Sequence, residues 1–183
     1  MDEKKSESLK RFKELINKDN RRIASAKREK EKRNLFLWFV DNCPSIGGPE
    51  LAQKFKDYGY TFAYELKRLK SNIIDSIGLK KDLTYRYVTQ GNEMEALIDE
   101  IEKLYSSRTK KIIFFSKGEG GEMDSLFIRI RNSFAHGNYF KKRDYYFLWN
   151  ETGKGTEKNP LKLGSFMVLK YEDLKNIYDL LAG

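Results

Sequence analysis

Histidine and cysteine are almost absent from this chain: His136 and Cys43 each stand alone in 183 residues. One of each cannot supply the three or four ligands of a zinc site, so a His/Cys centre within one chain is excluded, and no metal or other cofactor is expected. A lone thiol also excludes an intrachain disulfide, which suits a reducing compartment, and a cytoplasmic location is the expectation. Proline occurs only three times while aromatics reach 14%, so the chain has the apolar area to offset its ordering entropy and should fold. Long hydrophobic runs are missing. The longest, Leu35 to Val40, has six residues, where a membrane span needs about 20. The first 34 residues are charged rather than apolar, so neither a membrane partner nor a secretory signal is expected.

What the chain has in excess is positive charge. Lys and Arg number 36 against 27 acidic side chains, giving a formal net charge of +9 and an anionic partner as the first expectation. Residues 1–34 hold 13 of the basic and 7 of the acidic groups, and so carry most of the excess. They read as an exposed basic helical arm, with Leu9, Phe12 and Ile16 at helical spacing. Residues 35–183 read as a single helical domain. In it Leu35 to Val40 predicts a buried helical segment, closed by a loop containing Asn42, Pro44, Gly47, Gly48 and Pro49.

Periodicity predicts further helices. Phe62, Leu66, Leu69, Ile73 and Ile77 form one stripe ending at Gly78, and Met94, Leu97, Ile98, Ile101, Leu104 and Tyr105 form another, with Asn92 as its cap. Lys117 to Glu122 is glycine-rich but lacks the phosphate-loop pattern, and reads as a plain loop. Asp124 then caps a helix through Leu126, Ile130 and Phe134 that stops at Gly137. Aromatic and β-branched runs at Tyr145 to Trp149 and Ser165 to Lys170 predict a hairpin over about 145–170, followed by a closing helix at 171–182. The expected fold class is mainly α: a helical bundle with a small β-hairpin appendage near the C-terminus.

Any imidazole chemistry must use His136. From Arg129 to Arg143 the chain carries Arg129, Arg131, Lys141, Lys142 and Arg143 and no acidic residue. An imidazole ordinarily titrates near pH 6.5 and can both accept and donate a proton. An RNA phosphodiester brings its own nucleophile, the 2′-hydroxyl, so cutting it needs proton transfer and positive charge at the phosphate rather than a metal. His136 suits the first task, Arg131 offers a planar donor fork for the second, and Asn132 adds a neutral donor. With one imidazole per chain, an acid and a base of this type need two chains, so a homodimer is predicted. Five residues turn an ideal helix by about 140°. Arg131 and His136 therefore do not share a face unless the last turn unwinds or a second protomer completes the pair.

The run Arg131-Asn132-Ser133-Phe134-Ala135-His136 resembles the catalytic motif of the HEPN (higher eukaryotes and prokaryotes nucleotide-binding) domain: an Arg, a polar residue, then a His four to six residues after the Arg. The resemblance implies a HEPN-like helical bundle acting as a dimer, and a metal-independent endoribonuclease of a toxin–antitoxin or phage-defence system, restrained by an antitoxin or other regulatory protein. In some members a tyrosine two residues after the His is adenylylated; here Tyr139 lies three residues after it. On this reading Arg131, His136 and Asn132 are catalytic, while Arg129, Lys141, Lys142, Arg143 and Tyr139 bind RNA. The alternative is a non-catalytic RNA-binding or protein-interaction module. DNA binding by the basic arm is a third reading, without a helix-turn-helix or zinc-finger pattern behind it.

Overall fold

Short-range capping sets several helix boundaries in the computed structural model, which describes residues 5–17, 30–44, 53–89, 93–106 and 111–183. In chain order these form α1 (Glu7–Asn17), α2 (Lys30–Asp41), α3 (Ala63–Ile77), β1 (Tyr85–Val88), α4 (Glu93–Ala96), α5 (Ile98–Ser106), β2 (Ile112–Ser116), α6 (Glu122–Ala135), β3 (Tyr139–Lys142), β4 (Tyr145–Thr152), β5 (Lys162–Lys170) and α7 (Tyr171–Ala182). Glu65 accepts the Phe62 backbone N–H (2.9 Å) at the start of α3, and Gly78 ends that helix at φ +74°. The expected helix from 92 to 105 is interrupted at Leu97 and becomes α4 and α5; its proposed cap, Asn92, lies outside the described residues, as do Gly47, Gly48 and Pro49. Asp124 acts one turn inside α6, its carboxylate accepting the Gly121 N–H (2.8 Å).

The strands overturn the expected fold class. They form one five-stranded sheet in the order β1-β2-β5-β4-β3. β1 and β2 are parallel, and the remaining neighbours are antiparallel. The protein is mixed α/β with a mixed sheet, and not a helical bundle with a β appendage. The two runs expected to form a peripheral hairpin are β4 and β5, and β5 is the middle strand. Residue alternation sends Ile113, Phe115, Tyr146, Leu148, Met167 and Leu169 to one face of the sheet, where they join α2, α3, α6 and α7 in one core. Ile112, Phe114, Phe140, Phe147, Trp149, Phe166 and Val168 face the other way and pack with α1, α4 and α5. The result is three layers, helix–sheet–helix.

The physical reason for the missed sheet is burial on both faces. All five residues of β2 are buried, so the strand shows no alternation of apolar and polar residues by which it could be recognised. α1 corrects a second expectation, because Leu9, Phe12 and Ile16 are fully or almost fully buried and the helix seats Phe12 against Phe166 and Trp149 (ring centroids 5.2 and 6.0 Å). This part of residues 1–34 is an outer layer of the domain rather than an exposed arm. α2 covers the predicted Leu35 to Val40 segment, although Leu37 is 45% exposed.

One buried acid ties three elements together. Asp173, 2% exposed, accepts the Lys170 backbone N–H at the start of α7 (2.8 Å) and the Lys111 ammonium just before β2 (2.7 Å), while Lys111 also donates to the Ile77 carbonyl ending α3 (3.1 Å). Asp173→Ala removes a helix cap and leaves Lys111 without its counter-charge. A loss of about 2–3 kcal/mol is expected in urea denaturation, and a loss below about 0.5 kcal/mol contradicts this account.

Candidate functional site

α6 places the motif. Leu126, Ile130 and Phe134 point into the core, and Ser133 donates to the Trp149 carbonyl of β4 (2.7 Å), so one side of the helix is fixed against the sheet. Arg131 falls on the side facing α2. Its Nε donates to the Val40 carbonyl (3.1 Å), and Nη1 donates to Asn132 Oδ1 (3.2 Å). Val40 belongs to the last turn of α2, whose carbonyls lack intrahelical donors and attract cations. Arg131 therefore serves the end of α2, and its Nη2 has no hydrogen-bond partner among the described residues.

The helix stays regular to its end. α6 ends at Ala135 and His136 is its C-cap, with φ −92° and ψ 2°; its backbone N–H still reaches the Asn132 carbonyl (3.0 Å), and Gly137 follows at φ +67°. A glycine suits that left-handed position, which an L side chain adopts at a cost. The unwinding that would have turned the imidazole toward Arg131 is thus absent before His136. Its side chain is exposed, and no hydrogen bond or ion pair among the described residues holds it. Within one chain no hydrogen bond joins Arg131 and His136.

The remaining expected residues divide by strand alternation. Tyr139 lies half-buried against Phe36 and Phe134 (ring centroids 5.5 and 5.2 Å), and burial pushes its phenol up from the ordinary value. Lys141 lies over the Tyr146 ring (5.9 Å). Lys142 is the next residue of β3 and alternates to the other face. Arg143 is exposed at the two-residue turn into β4, in the left-handed region at φ +57°. Arg129 departs furthest from its expected role, being buried at 6% exposure about 10 Å back along the helix from His136, with its guanidinium bonded to Asn150 and Ser116.

Sequence reasoning missed Lys32. α2 brings it beside Lys141, and together with Tyr146 and Lys170 the two line a shallow cleft of about 270 Å³ that also holds Asp144 and Glu172. Partial burial, and then the Lys141 charge, lower the Lys32 ammonium from its ordinary value. No local signal joins a residue in 1–34 to the β3–β4 hairpin. Among the described residues no cluster of three or more His, Cys, Asp or Glu side chains could hold a metal ion, and no helix is long and apolar enough to cross a membrane. Comparison with protein-family models, with curated proteins and with solved structures finds no match.

Proposed function

We propose that the protein is a metal-independent endoribonuclease that cuts RNA by 2′-hydroxyl attack, as a toxin or phage-defence effector, at a site completed by a second copy of the chain. The observation that carries this reading is the exposed imidazole of His136 at the C-cap of α6, without a partner among the described residues, in a stretch of chain rich in cations. His136 transfers the proton. The Nη2 of Arg131, which has no partner among the described residues, neutralises the phosphate, and Asn132 keeps the guanidinium oriented. The second copy supplies the imidazole that one chain lacks, so that one ring takes the 2′-hydroxyl proton and the other protonates the 5′-oxygen leaving group. The proposal rests on the motif, and not on a HEPN-like bundle.

A second reading has its own observation. The Arg131 bond to Val40 gives that side chain a purely structural task, as expected of a non-catalytic RNA-binding or protein-interaction module. The two readings separate in one experiment: incubation of the purified chain with mixed RNA in EDTA. Scission that leaves 2′,3′-cyclic phosphate ends is the expected result, and retention of intact RNA by the protein favours the module.

A further inference from the structure

Arg129 is a buried cation with no buried anion. Nη1 donates to Asn150 Oδ1 (2.8 Å), and Nη2 donates to Ser116 Oγ (3.1 Å) and to the Lys117 and Ser116 carbonyls (3.4 and 3.5 Å). Its Nε is buried without a partner. No carboxylate pairs with it among the described residues. Neutral acceptors orient a guanidinium but do not cancel its charge, and burying an uncompensated charge is costly. Burial alone pushes this side chain down to about 10, which still leaves it cationic at neutral pH. Gly164 makes its position possible, because a Cβ there would lie 3.1 Å from Arg129 Nη1 and 2.5 Å from Thr152 Cγ2.

Above this guanidinium a cleft of about 290 Å³ opens where the parallel strands β1 and β2 both end. Thr89, Ser116, Lys117, Thr152 and Lys162 line it with Arg129, and no acidic side chain among the described residues does. At one rim Lys162 Nζ lies 3.9 Å from Glu95 Oε2. We propose that this cleft binds the phosphate group of a small phosphate monoester, with Arg129 as its floor and Lys117 and Lys162 as its walls. Three cations exceed what a single carboxylate needs and suit a dianion. The Ser116 hydroxyl is spent on the Gly164 carbonyl (2.9 Å), but the hydroxyls of Thr89 and Thr152, on different segments, join the ammonium groups in offering donors from several directions, which matches a tetrahedral group better than a planar one. The volume lies at the lower end for ligand pockets, so the organic part is no larger than a sugar. This site is independent of RNA cleavage and stands or falls without it.

The test is calorimetric titration of the full chain with ribose 5-phosphate and with inorganic phosphate, at constant ionic strength set by sodium chloride. Saturable binding of ribose 5-phosphate, tighter than that of free phosphate, is expected. Lys117→Ala and Lys162→Ala, which truncate exposed and half-exposed side chains and leave the fold intact, should each weaken it by about tenfold. Thermal melts should show a rise in Tm with ribose 5-phosphate that both variants diminish. Absence of saturable binding overturns the proposal, as does binding that both variants leave unchanged. Equal affinity for free phosphate overturns the assignment to a monoester.

Discussion

Replacing His136 by alanine is expected to slow RNA cleavage by about a hundred- to ten-thousand-fold, the usual range for a lost proton-transfer group. The substitution is clean because the imidazole is exposed, while the backbone bond from His136 to Asn132 is independent of the side chain. Melting temperature and circular dichroism should be unchanged. Arg131→Ala is a poorer probe, since it also strips the Val40 carbonyl of its donor and confounds catalysis with the packing of α2. A His136→Ala protein that cuts at the parental rate removes the enzymatic reading and leaves the binding module.

The second large effect concerns the sheet. Phe166→Ala should cost about 3–5 kcal/mol, as is usual for deleting a buried aromatic side chain. Phe166 is fully buried on the middle strand. It pairs across β2 with Phe114 and across β4 with Trp149, and it meets the Phe12 ring of α1. In a peripheral hairpin the same truncation would cost far less, so urea denaturation distinguishes the two architectures directly. Phe62, 59% exposed, provides the contrast: Phe62→Ala should stay within about 0.5 kcal/mol of the parent.

The helices were legible because a single buried face imposes its period on the sequence. Leu69, Ile73 and Ile77 show it in α3, and Leu126, Ile130 and Phe134 show it in α6. The sheet was not, since β1 has only four residues and β2 has no polar side facing water, while β4 and β5 were recognised as strands but not as the centre of anything. α1 showed its stripe, but no short-range cue tells a docked helix from a free one. At the site, spacing alone identified an angular mismatch between Arg131 and His136, and in the structure Arg131 turns instead to Val40 and Asn132. Arg129 was misread because a local cluster of cations carries no information about burial, which here depends on Ser116 and Asn150 from two different strands.

The placement of β2 has a consequence for how the molecule is made. Ile112 pairs with Val168, 56 residues further on, so the strand that covers the open side of Ile-Ile-Phe-Phe leaves the ribosome well after it. At about 5–20 residues per second, this aggregation-prone stretch stays unguarded for several seconds of translation. Truncated nascent chains ending before β5 should consequently be held by chaperones and not released as soluble intermediates.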